Sequence, residues 1–364
     1  MKVLIAHNYS EISFAAMSYH FSHFLAESGN EVFFISHSPY LNESFSSHIG
    51  KGEITVTSWP KETRPTGLGD FLWYGRFFLK HRPKIIIGHF VGSNITITVS
   101  KILSFGTART YEYYHTLSSQ LKADRKKEGF RDKLLFMRKK CFYRWFCDVI
   151  ICPSELAKTD FEKRYGAANT KVLLNPMADR FEDKIQVSEN DIIISYLGRL
   201  DPSKGVVDLI TAFKLYKQHV PDSKIKLRIA GTGSQQQHIM DLISGQDDIQ
   251  YMGGLPYGEI DRYLQQGHFT IIPSKWDTMP VTGLESMMNQ VPLLVSNGAG
   301  LSQYLTEDKE CFKFDPDVDS TVKLFKKVEE NIHKHPEMCI NARKTFADGF
   351  TMEQYCRQFL DIIS

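Results

Sequence analysis

Apolar runs of four to seven residues alternate with longer amphipathic stretches along this chain, and the alternation restarts once near its middle. Such strand–helix–strand repetition makes a parallel sheet with helices on both faces. In the first half, strands are predicted at 2–6, 31–36, 54–57, 84–89, 108–114, 148–152 and 171–174, with helices such as 15–27 and 154–165 between them. A second set follows at 192–197, 224–230, 249–252, 269–273, 292–295 and 311–314. Residues 175–191 hold Pro, Asp, Glu and Ser with little periodicity and read as a linker. The expected domains are 1–180 and 181–349, each a Rossmann-like α/β unit. Residues 336–347 and 352–363 are amphipathic helices with no strand between them. The last can pack on either domain, and 350–364 is assigned back to the first. Two doubly wound sheets joined once leave a cleft at the carboxyl ends of their strands, where ligands of such sheets bind.

A length of 364 residues suffices for two such cores, and 42% hydrophobic with 24% charged residues is globular composition. A net charge of +2 gives no general attraction to nucleic acid, which is excluded as a partner. One stretch departs from this balance. Residues 119–147 carry ten Lys/Arg against three acids, interleaved with Phe130, Phe136, Phe142, Tyr143, Trp145 and Phe146. That pattern fits an ordinary helix with a core face, or a surface drawn to anionic lipid or a diphosphate-linked acceptor. No apolar run nears the ~20 residues of a membrane span. The six cysteines form no C-x-x-C pair, and Met1 to His7 reads as a first strand rather than a signal peptide. The expected setting is cytoplasmic, peripheral at the inner face of the membrane, with free and mostly buried thiols.

Two segments carry chemistry. Gly198-Arg199-Leu200-Asp201-Pro202-Ser203-Lys204-Gly205 lies between a strand and a helix. Cations near a helix amino terminus are unfavourable unless an anion is present, so Arg199, Lys204 and free N–H groups together read as a phosphate site. Gly205 is expected to let backbone and ligand approach. The bland alternative is a solvated loop with two incidental charges. The second segment, Pro273 to Glu285, leaves a strand and enters a helix, with Pro280 near its first position. Asp277 and Glu285 suit vicinal hydroxyls, since a carboxylate accepts bonds at both oxygens. Alternatively, Asp277 is a turn residue and Thr282-x-x-Glu285 a capping box.

In combination these segments resemble a family. G-R-x-x-x-x-K-G, then Arg228-Ile229-Ala230-Gly231-Thr232-Gly233, Gly253-Gly254-Leu255, P-S-x-W and acid-x₇-Glu occur in this order. The order is similar to that of retaining glycosyltransferases of family 4, which have the two-domain GT-B fold. Asp148 to Glu155 and Asn175-Pro176 resemble the family more loosely. The resemblance implies that Arg199 and Lys204 bind the donor diphosphate, with Gly198 and Gly231 beside them. It implies that N–H groups around Val281, Thr282 and Gly283 cradle phosphate and that Glu285 holds the ribose. It implies that Asp277 contacts the transferred sugar and that Gly254, next to Gly253, borders the base. His115 resembles the family's histidine facing the sugar, with His89 its rival. Ser10, Ser13 and His89 are assigned to the acceptor side.

Some positions depart from the family pattern. The loop His7 to Phe14 has no glycine, Asp277 stands where Glu is usual, and Ala178 stands where a linker glycine is common. Gln303 stands where an acid is typical. Asp315-Pro316-Asp317 contains D-x-D, used for metals elsewhere, but follows the last strand and reads as a turn. Gly231-Thr232-Gly233 lacks the third glycine of a dinucleotide fingerprint, and the His and Cys residues show no zinc spacing.

The expectation is a retaining, metal-independent transferase with no cofactor. Its donor is a nucleotide sugar with UDP favoured, and its acceptor is a glycan or lipid-linked hydroxyl in surface polysaccharide synthesis. The alternatives are a non-catalytic subunit of the same fold and a sugar-nucleotide epimerase.

Overall fold

The structure is a computed structural model that describes residues 1–364 apart from 12–15, 37–43, 62–64, 90–92, 124–129, 167, 184, 186, 188 and 189, and the side chains of 130–132. The chain divides into two compact units. One comprises Met1–His115, Lys127–Ala178 and Met352–Ser364, and the other Thr116–Lys126 and Asp179–Thr351.

The first unit contains β1 (Lys2–Ala6), β2 (Glu31–Ser36), β3 (Phe45–Ile49), β4 (Gly52–Ser58), β5 (Ile85–Gly88), β6 (Arg109–Tyr113), β7 (Val149–Cys152) and β8 (Thr170–Val172). They form one sheet in the order β3-β4-β2-β1-β5-β6-β7-β8, parallel except for the β3–β4 hairpin. The hairpin strand β3 is absent from the sequence expectation. Its residues are mostly exposed, so it shows no alternation of buried and solvated positions. The central strands are buried on both faces, as near-continuous apolar runs such as Val3-Leu4-Ile5 require. The helix Met352–Ile363 belongs to this core. Phe359 stacks on Phe21 at 4.4 Å, and the Tyr355 and Tyr113 hydroxyls bond at 2.6 Å. Rings packed this way lose about 3–5 kcal/mol on truncation to alanine.

The second unit contains β9 (Ile192–Leu197), β10 (Ile225–Ala230), β11 (Ile249–Gly253), β12 (Phe269–Ile272), β13 (Leu293–Ser296) and β14 (Cys311–Phe314). All are parallel, in the order β11-β10-β9-β12-β13-β14. Its core joins Ile194, Leu227, Ile229 and Phe269 to Leu209, Phe213 and Phe325 of the covering helices. The chain winds outward from β9 to β11, then returns on the other side of β9 as β12. The carboxyl ends of β9 and β12 therefore flank the topological switch point, where such sheets bind ligands.

Candidate functional site

The two chemistry-bearing segments leave the sheet at that switch point. The loop after β9 carries Gly198 to Gly205, and the loop after β12 carries Pro273 to Pro280. They are held together by a bond from Lys275 N to Ser203 O at 2.8 Å. Gly205 has a left-handed φ of 71°, and a side chain there would collide with Pro273 O. The close approach it permits in the structure is to the neighbouring loop. Gly231 packs against Gly198 O in the same manner, and Gly198 N donates to Ala230 O at 3.1 Å. Gly254 lies past the end of β11 beside Thr232.

Both expected cations meet carboxylates. The Arg199 guanidinium pairs with Asp201 Oδ2 at 2.5 Å while remaining 57% exposed. Asp201 is fixed in turn, because its Oδ1 accepts from Ser234 N at 3.0 Å and Ser234 Oγ at 2.8 Å. Lys204 Nζ pairs with Asp277 Oδ2, and both side chains are largely buried. Asp277 is pinned by its backbone: its N–H donates to Gly298 O, and Gly300 N donates to its carbonyl. Sequence reasoning gave Lys204 and Asp277 separate ligands and missed that they touch.

The helix Val281–Met288 starts with Pro280 as its N-cap. Thr282 therefore lies inside the first turn, and Thr282-x-x-Glu285 is not a capping box. The Gly283 N–H is taken by Pro280 O at 3.1 Å, and its Cα packs tightly on Leu301 and Ile272. The amides of Val281 and Thr282 have no hydrogen-bond partner among the described residues, as expected for a first turn. The phosphate cradle expected from 281–283 is narrowed to these two amides.

Glu285 is buried on that helix. Burial pushes its carboxyl up to about 7, with Arg180 pulling it down and Asp261 pushing it further up. Arg180 is a residue that sequence reasoning missed, since it lay in the apparent linker. Its Nε and Nη2 donate to Asp261 at 3.0 Å each, and Nη2 reaches Glu285 Oε1 at 3.9 Å. Asn289 Nδ2 donates to the same Asp261 at 2.7 Å.

In the first unit, the order places β1 beside β5, and the carboxyl ends of these two strands flank its switch point. His89 follows β5, and His115 lies two residues past β6. The two are joined, His89 Nδ1 to His115 Nε2 at 3.2 Å. Burial pushes the His115 imidazole down to about 3, so it is neutral at pH 7. Ser10 is buried, and Ser13 lies outside the described residues.

The basic stretch forms the helix Phe130–Phe146, preceded by Ser118–Ala123. Phe142 and Tyr143 face the core, and Phe136 stacks on Tyr165. Leu134, Leu135, Met137 and Trp145 are exposed among Lys133, Arg138, Lys140 and Arg144. No helix among the described residues is long and apolar enough to cross a membrane. The D-x-D is structural: Asp317 caps the helix Val318–Glu330 by accepting from Ser320 N, and Asp315 accepts from Asn297. All six cysteines are free.

Comparison with known proteins agrees with this architecture. The profile of Glycosyltransferase Family 4 matches residues 15–177, and that of Glycosyl transferases group 1 matches residues 178–346. The chain belongs to the family 4 glycosyltransferases and has their GT-B fold. Among solved structures it is similar to sucrose-phosphate synthase from Thermosynechococcus elongatus, with TM-score 0.78 and 16% identity over 100% of this chain and 98% of that one. It is also similar to Anabaena HepE in complex with UDP and glucose, with TM-score 0.73 and 14% identity over 100% and 99%. The lipopolysaccharide 1,2-N-acetylglucosaminetransferase of Salmonella typhimurium is 24% identical over 179 residues, 43% of this chain and 46% of that protein. The chain spans about half the length of the curated relatives it matches.

Proposed function

We propose that this protein moves a sugar from a UDP-sugar to a hydroxyl of a glycan or lipid-linked acceptor, with retention, in surface polysaccharide synthesis. The observation that carries the reading is the meeting of Arg199, Lys204 and two unpartnered helix amides at one switch point. Two cations and two N–H donors suit a diphosphate. HepE, which shares the fold, was solved with UDP and glucose.

In the proposed reaction the bond from the anomeric carbon to the diphosphate oxygen breaks. The acceptor oxygen bonds to that carbon, and its proton passes to the leaving phosphate. Arg199, Lys204 and the amides of Val281 and Thr282 stabilise the charge that develops on the diphosphate, which makes a divalent metal unnecessary. Glu285 accepts from ribose hydroxyls and Gly254 borders the base. Asp277 keeps one oxygen on Lys204 and offers the other to the sugar. His115 supplies a further contact to a sugar hydroxyl, and the acceptor is taken up beside Ser10 and His89. Exposed apolar and basic residues of Phe130–Phe146 hold the protein at the anionic inner face of the membrane.

Thermal unfolding with UDP, GDP and dTDP tests the donor, because a ligand of the folded state raises the midpoint with its concentration over Kd. UDP should give the largest shift, and none from any nucleotide would remove the reading. Release of UDP only when an acceptor is present separates transfer from a binding subunit and from an epimerase.

A further inference from the structure

The first unit carries two buried imidazoles beside His115. His7 follows β1 and is buried, as is His89 after β5. Ser18, on the helix Ala16–Glu27, lies between them. Its Oγ is 2.9 Å from His7 Nδ1 and 3.3 Å from His89 Nε2. His89 Nδ1 then meets His115 Nε2 at 3.2 Å. The rings are stacked as well as bonded. His7 lies on His89 at 4.5 Å, and Tyr113 lies on His89 at 4.0 Å and on His115 at 5.2 Å. Tyr113 is itself fixed through its hydroxyl to Tyr355. The series runs across the carboxyl edge of the adjacent strands β1, β5 and β6. It reaches His115, a half-buried residue.

We infer that His7, Ser18, His89 and His115 form one polarised hydrogen-bond chain that ties the proton position of His115 to those of His89 and His7. The argument is a count of protons. Neutral imidazole has one N–H and one acceptor nitrogen, and a serine hydroxyl has a single proton. Both nitrogens of His89 are engaged within the chain, and the Ser18 hydroxyl lies between two ring nitrogens. Suppose His89 donates from Nδ1 to His115. Its Nε2 must then accept from Ser18, Ser18 must accept from His7 Nδ1–H, and His115 must carry its proton on Nδ1. All three rings are then Nδ1–H tautomers. If His115 donates from Nε2 instead, His89 is the Nε2–H tautomer and donates to Ser18, and when Ser18 passes its proton on to His7 Nδ1 every bond reverses and all three are Nε2–H tautomers. A mixed set either places two lone pairs or two N–H groups face to face, which is the costly case for polar groups away from water, or has Ser18 accept from both rings and send its proton out of the series, which breaks the chain at the serine. His7 and Ser18 are thus positioning residues that act on His115 through His89.

Long-range ¹H–¹⁵N spectra of the full chain at pH 7, with the three rings assigned through His7→Gln, His89→Gln and His115→Gln, read the tautomers directly. The expected result is three neutral rings in one shared tautomer. Ser18→Ala should leave His89 and His115 matched and release His7 to a mixture. An ionised ring among the three, or unlike tautomers in the wild type, overturns the chain, and the wild-type spectrum decides this even if Ser18→Ala does not fold. The effect on turnover rests on the proposed transfer reaction. There Ser18→Ala should lower kcat roughly tenfold with the donor KM unchanged, and Ser18→Thr, which keeps the hydroxyl, should recover it. A change confined to KM, or no recovery by Ser18→Thr, counts against positioning. The spectra need no donor or acceptor. If the wild type transfers no sugar, the reaction falls while the spectra still judge the chain.

Discussion

The Lys204 ammonium is ion-paired with the Asp277 carboxylate across 73 residues of sequence. A diphosphate that takes Lys204 must share it with this carboxylate. Removing Asp277 frees positive charge and deletes no atom that a nucleotide without its sugar would touch. Asp277→Ala is expected to bind UDP up to ~10-fold more tightly, about 1.4 kcal/mol, yet turn over donor more slowly. Calorimetry with UDP alone, beside turnover with donor, measures both. Weaker UDP binding by this variant would reassign Asp277 to the nucleotide.

The same pair predicts an asymmetry in stability. Lys204→Ala leaves the largely buried Asp277 carboxylate without its cation, and losing one partner of a buried pair costs about 3 kcal/mol or more. Removing both partners leaves no uncompensated charge. The double variant Lys204→Ala/Asp277→Ala should therefore be more stable than Lys204→Ala in urea unfolding. Additive losses in the double variant would mean that the pair is energetically idle.

Arg199 should separate function from folding. Its guanidinium is mostly exposed and pairs with Asp201. Arg199→Ala is expected to unfold close to wild type but lose roughly 10²–10³ in turnover, as for loss of a donor to a developing anion. In the proposed reaction the cations and amides fill the electrostatic role, so turnover in excess EDTA should equal the control. Activity lost to EDTA and restored by Mg²⁺ or Mn²⁺ would assign that role to a metal.

The physics behind these predictions was unevenly legible in the sequence. The strand Ile192–Leu197 could be read to the residue, because an apolar run bounded by a glycine and a charged loop has few other homes. The strand Phe45–Ile49 could not, because an exposed edge strand needs no apolar face. Glycine at 205 was visible, but not what approaches it. That depends on β12 lying next to β9, a long-range fact. Arg180 and Asp261 are 81 residues apart, and neither stands in a recognisable pattern. His7 meets His89 only because β1 neighbours β5. Local order is written in periodicity, whereas pairings across the sheet edge follow from topology.

The exposed helix face predicts membrane association that salt weakens. Each Lys or Arg near an anionic surface contributes ~1 kcal/mol, screened over about a Debye length. Trp145 is 65% exposed beside Arg144 and adds an interfacial anchor. Flotation should show binding to anionic vesicles that fades in high salt, and Trp145→Ala should weaken it. Equal binding to neutral vesicles, or none to either, argues for a purely structural helix.

Glu285 links stability and binding to pH with opposite signs. Burial raises its carboxyl from 4.5 to about 7 in the folded protein. Between those values the folded state holds a proton that the unfolded chain has lost, so stability falls as pH rises through this window. Below 4.5 both states are protonated and there is no penalty. Above about 7 the whole penalty applies, on the order of 3 kcal/mol. Glu285→Gln removes the titrating group and keeps the shape. It should be more stable than wild type at pH 8 and show a flatter midpoint from pH 5 to 8. Nucleotide affinity should move the other way, because an ionised carboxylate accepts ribose hydroxyls better than a protonated one. Wild-type affinity for UDP should therefore rise from pH 6 to 8. The difference between wild type and Glu285→Gln isolates this from titration of the phosphate itself. If both proteins follow one pH curve for UDP, Glu285 does not hold the ribose.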